Sequence, residues 1–225
     1  MIILATHKRP DNLKRCIQAC KDTEVTERVL VLIDEDDDSY DSISLPENFT
    51  VHRIPPGSCA SRRANIPFEL HPDEPYYAIM GDDVVPKTKG WDKILRARAG
   101  GWKVAYCADG IHNQKLATHP FIGGELARAQ GFVEEPSMLN WYADNCRMDV
   151  GAELGLLDYV EEVQFEHLHH CNGKAPVDET YTKQGDHKAD LWAYQRWRLF
   201  GGFAETVQRI SEVINQQGRK CDERR

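Results

Sequence analysis

Two adjacent carboxylates stand at the exit of an apolar run. Residues 76–80 read Tyr-Tyr-Ala-Ile-Met, Gly81-Asp82-Asp83 follows at once, and Val84-Val85-Pro86 comes next. Like charges this close repel, so one of the pair needs a counter-charge or a raised pKa. A divalent cation supplies that counter-charge, and hard oxygen ligands suit Mg2+ or Mn2+. The plainer alternative is a polar turn with two solvated aspartates, which would win for an isolated Asp-Asp. Here other polar segments also close apolar runs. Asp34 opens the acidic stretch 34–38 behind the β-branched run 29–33. Asp37 and Asp38 read as a solvated loop, whereas Asp34 is suited to accept hydrogen bonds from a sugar hydroxyl or a base edge. Glu166-His167-Leu168-His169-His170 closes a weakly alternating segment. On a strand, His167 and His169 share a face. The segment lacks a clear third and fourth ligand for zinc, but it can add an imidazole to a cation already held by Asp83. In Asn140-Trp141-Tyr142-Ala143-Asp144-Asn145, helix capping accounts for Asp144. A general base facing an acceptor hydroxyl is the functional alternative.

Several chemistries are disfavoured by the motifs the sequence lacks. It contains no Gly-x-Gly-x-x-Gly and no Gly-x-x-x-x-Gly-Lys-Ser/Thr, so dinucleotide redox chemistry and P-loop phosphoryl transfer fit poorly. A diphosphate bound here would need a metal to neutralise it. No Gly-x-Ser-x-Gly occurs, and Cys59 and Cys171 lack an evident base, so nucleophilic hydrolysis is disfavoured.

These residues need elements to position them. Apolar runs at 2–5, 29–33, 76–80 and 104–107 and the short segment 50–54 read as strands. Asp11 caps a predicted helix with Leu13, Cys16, Ile17 and Cys20 at helical spacing, and a second helix runs from Ser58 to Leu70. The alternation implies an α/β sandwich with a largely parallel sheet. Ligands of such sheets bind beyond the carboxyl ends of the strands, where residues 6–9, 34–38 and 82–83 fall. Further on, 121–124 reads as a turn into a short helix, and Asp144 or Asn145 caps a helix to about Gly155. Residues 159–165 read as a strand. Phe203, Val207, Ile210, Val213 and Ile214 form the core stripe of a C-terminal helix, and 220–225 fray.

Size and charge bound the partners. A chain of 225 residues suffices for one sizeable core. Its net charge of −8 disfavours indiscriminate binding to nucleic acid or anionic membrane. Lys87, Lys89, Lys93, Arg96, Arg98 and Lys103 nevertheless cluster against the single acid Asp92, and Arg62-Arg63 form a second basic spot. Each is either a local anion site or a solvated helix face. The seven cysteines form no Cys-x-x-Cys pair and read as reduced core thiols. Residues 1–5 are too short for a signal-peptide core and no run reaches membrane-spanning length, so a soluble cytoplasmic protein, of a bacterium or of a virus-infected host, is expected.

In this order the segments resemble a GT-A fold glycosyltransferase of the family 2 kind. Residues 5–13 (Ala-Thr-His-Lys-Arg-Pro-Asp-Asn-Leu) are similar to the opening strand and loop that hold the nucleotide, and Val31-Leu32-Ile33-Asp34 to the strand whose acid contacts the nucleoside. Ser61-Arg62-Arg63-Ala64-Asn65 resembles the basic-Asn helix start. Gly81-Asp82-Asp83, then Gly90-Trp91-Asp92, resembles the metal motif and the segment after it. Ala143-Asp144 resembles the acidic pair whose second member is the catalytic base, and residues 166–169 the late metal-ligand segment. The resemblance spans about residues 1–190. It departs in having Gly-Asp-Asp for Asp-x-Asp, only one acid in the catalytic pair, and no Gln-x-x-Arg-Trp spacing, which favours single transfer over polymerisation.

The resemblance implies a Rossmann-like αβα sandwich with a mostly parallel sheet. One domain spans 1–225, with a nucleotide-sugar-binding half to about 108, an acceptor and catalytic half over 109–200, and a helix and tail over 201–225. It implies a nucleoside-diphosphate sugar donor, UDP-linked in the favoured case, and Mn2+ or Mg2+ held by Asp83 and His169. Thr6, Arg9, Asp34, Arg63, Asn65 and Asp82 would bind the nucleotide sugar. Asp144 would act as the base in an inverting transfer. Arg62, Arg63 or Lys87 would assist the phosphates, and Trp91, Trp141 and Tyr142 would stack on sugars or pack in the core. The acceptor would be a glycan, a lipid-linked sugar or a hydroxymethylated base in viral DNA. Nucleotidyl transfer and a catalytically degenerate nucleotide-binding module are the competing readings.

Overall fold

The computed structural model describes residues 1–182, 185 and 187–222. Eight strands form one sheet: β1 (Ile2–Ala5), β2 (Val29–Asp34), β3 (Phe49–Ile54), β4 (Tyr76–Gly81), β5 (Val84–Pro86), β6 (Val104–Ala108), β7 (Phe121–Gly123) and β8 (Leu157–His167), in the order β3-β2-β1-β4-β7-β6-β8-β5. Pairing is parallel from β3 to β4 and between β6 and β8. β7 runs antiparallel to both its neighbours, and β5 antiparallel to β8. β1 and β2 are apolar almost throughout because helices cover both faces of a parallel sheet.

Side chains alternate between two cores. Ile2 and Leu4 face one layer with Val29, Val31, Ile33, Tyr76 and Met80. Ile3, Leu30, Leu32 and Tyr77 face the other. The first layer is closed by α1 (Pro10–Asp22) and α3 (Trp91–Ala99). The second is closed by α2 (Ala60–Leu70), α4 (Gly124–Gln130), α5 (Ala143–Glu153), α7 (His187–Leu199) and α8 (Gly202–Asp222). The short α6 (Glu179–Thr182) lies apart, over the strand ends. The chain is thus a Rossmann-like αβα sandwich of GT-A type.

Local chemistry differs from the sequence reading at several points. Asp11 does not cap α1. Pro10 starts the helix behind Arg9, and Asp11 sits exposed in the first turn, where a carboxylate suits the helix dipole. α2 begins at Ala60 behind Cys59 rather than at Ser58. Neither Asp144 nor Asn145 caps α5, because the cap position belongs to Tyr142, held at φ +66°. The turn expected at 121–124 is the antiparallel strand β7. Asp37, read as solvated, is buried and accepts the amides of Lys8 at 2.9 Å and Ser39 at 3.1 Å.

The basic stretch resolves into α3, whose Trp91, Leu95 and Ala99 are buried. Lys87 pairs with Glu166, Lys89 with Glu24, Arg96 with Glu27, and Arg98 and Lys103 with Asp158. Trp91 is a core residue, packed edge-on to Phe121 and Phe165, and does not reach the strand ends. Among the described thiols, Cys16, Cys20, Cys107 and Cys146 are buried and free, Cys59 is half-buried, and Cys171 is exposed. α8 extends to Asp222, and the rest of the segment expected to fray lies outside the described residues. No described helix is long and apolar enough to cross a membrane.

Candidate active site

The chain moves outward from β1 through β2 to β3, then returns to β4 on the other side of β1. Strand ends splay apart at such a reversal and leave a crevice. A cleft of about 640 Å3 opens there, lined by Thr6, Arg9, Asp34, Arg63 and Asp82. These are five of the six residues expected to hold the nucleotide sugar. Arg63 is buried; it donates from Nη2 to Asp34 at 2.6 Å and from Nε to the Ser58 carbonyl at 2.8 Å. Its Nη1 is buried without a partner. Asp34 spends its other oxygen on His7 Nδ1 at 2.8 Å. The cleft therefore meets a ligand with the guanidinium and imidazole that Asp34 orients.

Asn65 is turned away from this cleft. Its Oδ1 accepts the amides of Val133 and Glu134 at 2.8 and 3.0 Å, and its Nδ2 donates to the Glu134 carbonyl at 2.8 Å. Its work is to fix the loop that carries Glu134. Arg62 and Lys87, expected beside phosphates, are exposed and paired with Glu69 and Glu166.

The two carboxylates at the tip of β4 are both buried but differently served. Asp82 accepts from the Thr6 hydroxyl at 2.7 Å and from Arg9 at 3.3 Å. Burial, with Asp83 beside it, pushes its pKa up to about 6. Burial also opposes ionisation of Asp83. There His167, His119 and the Tyr181 hydroxyl at 2.9 Å outweigh it and hold the carboxyl well below its ordinary range. Gly81 makes this arrangement possible, since a Cβ at that position would lie 2.6 Å from Asp83 Oδ1.

His167 bridges two carboxylates, with Nε2 at 3.5 Å from Asp83 and Nδ1 at 3.6 Å from Asp109. Burial opposes its protonation, but the two carboxylates prevail and raise its pKa to about 9. Both separations are long for hydrogen bonds. Ligands bonded at about 2.1 Å to one tetrahedral ion stand about 3.4 Å apart. Asp83 with His167 therefore fits a shared divalent cation, and Asp109 sits where a carboxylate orients the far side of a ligating imidazole. Asp109 is itself fixed by the amides of Ile111, His112 and Asn113.

His169 stands differently from its expected role. β8 ends at His167, so the two histidines do not share a strand face. His169 Nδ1 accepts the Cys171 amide at 3.2 Å, which puts the neutral ring's proton on Nε2 and leaves it no free lone pair. Burial, with His167 and His170 nearby, lowers its pKa to about 4.

A second cleft of about 540 Å3 adjoins the first at Ala60 and Asn140. Asp144, Glu134, Trp141, Tyr142, His119 and His167 line it. Asp82 faces the first cleft and His167 the second. Burial raises the Asp144 pKa, while the nearby Arg147 opposes that shift. Arg147 pairs with the buried Glu134 and donates to the Ala117 carbonyl at 2.5 Å. Asp190 of α7 accepts the amides of Leu139, Asn140 and Trp141 and so sets the rim. Across the strand ends, Arg9 forks onto Asp178 with two bonds of 2.7 Å, and Thr180 donates to the His7 carbonyl at 3.1 Å. These contacts hold α6 against Asp83.

Sequence reasoning passed over Asp109, His119 and Glu134. The rule that drew attention to Asp34 and Asp83, a carboxylate at a strand exit, applies equally to Asp109. Nothing local marks His119 or Glu134.

No family model matches the chain, and no curated protein matches it. Solved structures with a similar fold include a putative glucose-1-phosphate thymidylyltransferase from Bacillus anthracis, 9% identical, covering 86% of this chain and 94% of that one, TM-score 0.48. A galactosyltransferase, LgtC, in complex with donor and acceptor sugar analogs is 11% identical, covering 88% and 98%, TM-score 0.43. The glycosyltransferase GlyE of Streptococcus pneumoniae TIGR4 is 8% identical, covering 96% and 63%, TM-score 0.48.

Proposed function

We propose that the chain is a metal-dependent glycosyltransferase that moves a sugar from a nucleoside-diphosphate donor to an acceptor hydroxyl with inversion. The observation that carries the reading is the pair of adjoining clefts. One is lined by Thr6, Arg9, Asp34, Arg63 and Asp82; the other is lined by Asp144. In this reading residues 1–108 bind the nucleotide sugar and 109–200 bind the acceptor and catalyse transfer. Thr6, Arg9 and Asp82 meet the donor, and Arg63, oriented by Asp34, donates to its ribose or phosphates.

Asp83 and His167 would hold the cation, Mn2+ or Mg2+ in the general case, which supplies positive charge against the leaving diphosphate. Asp144 takes the acceptor's hydroxyl proton as that oxygen bonds to the anomeric carbon. The bond from that carbon to the phosphate oxygen breaks, and its electron pair leaves with the nucleoside diphosphate. Trp141 and Tyr142 give the acceptor cleft aromatic faces, and its carboxylates suit hydroxyl-rich, uncharged acceptors. This favours a glycan acceptor over DNA.

A thermal-shift panel of nucleoside diphosphates, with and without Mn2+, tests the reading. Stabilisation that requires both ligands, greatest for the uridine nucleotide, is expected. Asp83→Ala should remove the coupling, and Asp144→Asn should keep it while abolishing turnover. No shift with any nucleotide overturns the assignment. Release of pyrophosphate in place of nucleoside diphosphate would move it to nucleotidyl transfer.

A further inference from the structure

Among the described residues, His119 stands out. It is 9% exposed, and neither ring nitrogen has a hydrogen-bond partner. Buried polar groups are almost always paired, and an imidazole packed for structure alone keeps at least one bond. A neutral imidazole carries one ring lone pair, and no described residue occupies it here.

The sheet explains its position. β7 is antiparallel to β4 and β6, so it begins where those strands end. His119, two residues ahead of β7, is thereby returned to the carboxyl ends of β4, β6 and β8, which lead to Asp83, Asp109 and His167. The His119 ring lies edge-on to the His167 ring with centroids 4.8 Å apart. One ligand atom each from Asp109, His119 and His167 lies within 4.8 Å of the others.

We propose that His119 joins His167 and its flanking carboxylates, Asp109 and Asp83, around one divalent cation, and that this imidazole-rich set prefers Co2+ and Zn2+ to Mg2+, with Mn2+ between. The ion's task rests on the transferase reading; its ligands and its identity do not. Imidazole suits the later first-row ions, whereas Mg2+ prefers an all-oxygen shell with several waters. Asp109 and Asp83 flank the His167 ring, 3.6 Å from its Nδ1 and 3.5 Å from its Nε2.

The test uses chelator-stripped full-length protein carrying Cys171→Ser, which removes the exposed thiol next to His170, and contains no nucleotide. Calorimetric titration with Co2+, Zn2+, Mn2+ and Mg2+ should give one tight site in that order, with Mg2+ at least about tenfold weaker. His119→Gln should weaken Co2+ and Zn2+ by about tenfold or more, leave Mg2+ unchanged, and alter the visible spectrum of bound Co2+. Histidine side-chain nitrogen NMR of the zinc-loaded protein with His119 intact should show two imidazoles shifted, and this count does not depend on the variant's folding. Equal affinity for Mg2+, an unchanged Co2+ spectrum in the variant, or a single shifted imidazole overturns the proposal. Transferase turnover with a one-imidazole ion would sink this inference alone. A two-imidazole ion without sugar transfer would sink the transferase reading alone.

Discussion

Asp83 depends on its neighbour two residues back. Gly81→Ala would drive a Cβ against Asp83 Oδ1 and move that carboxylate off His167 and Tyr181. Overpacking of this size costs about 1–3 kcal/mol, so the protein should still fold while its Mn2+-dependent melting shift largely disappears. An undiminished shift would mean that Asp83 does not face the ion. Asp144 has a pH signature. Its folded-state pKa is raised by burial, so its ionisation costs stability: the favourable contribution is complete below the unfolded value and is lost as pH rises through the folded one. In the proposed transfer the base acts in its ionised form, so the acid limb of kcat/KM should lie above about 3.9, the ordinary aspartate value. Asp144→Asn should abolish turnover and slightly raise the melting temperature at neutral pH. A limb at or below the ordinary value would remove Asp144 from the role of base.

At the scale of elements, α5 is anchored by the buried Arg147–Glu134 pair, which ties the helix to the loop that Asn65 fixes. Breaking a buried pair strands the surviving charge, at a cost of about 3–5 kcal/mol. Arg147→Met should therefore destabilise the protein by that amount in denaturant melts, and adding Glu134→Leu should restore most of it. If the double variant is no better than the single one, Arg147 acts through the helix alone. The same elements show what was legible in the sequence. β1, β2 and β4 are continuous apolar runs because both their faces are covered, so their ends, and with them Asp34, Asp82 and Asp83, could be found by inspection. β5 and β7 have three residues each and leave no periodic trace. The core stripe of α3 is hidden among cations, which drew attention to an anion site that its ion pairs fill. His119 and Glu134 reach the site through an antiparallel return and a loop clamped by Asn65. Both are long-range arrangements that no window of sequence displays. The strand face expected to carry both His167 and His169 stops at His167, where β8 ends, and boundaries are the weakest part of any pattern reading.

For the whole molecule, charge decides which acceptors the proposed transfer could use. The net charge is −8, and the one basic stretch long enough to follow a phosphate backbone is largely neutralised by Glu24, Glu27, Asp158 and Glu166. Binding to duplex DNA draws most of its free energy from releasing counterions with unpaired Lys and Arg. A surface whose cations are already matched by carboxylates releases few. The second cleft reinforces this, since Glu134 and Asp144 would repel the phosphates flanking a base brought to it, while Trp141 and Tyr142 offer faces to a neutral sugar ring. The protein should therefore not retard duplex DNA in a gel at low salt, about 50 mM, even with donor nucleotide and Mn2+ present. Neutral oligosaccharides should instead shorten the lifetime of the donor complex by accepting its sugar. A retarded DNA band that disappears between about 50 and 200 mM salt would show that ion pairs drawn within the chain yield to phosphate. The acceptor would then have to be sought among modified bases.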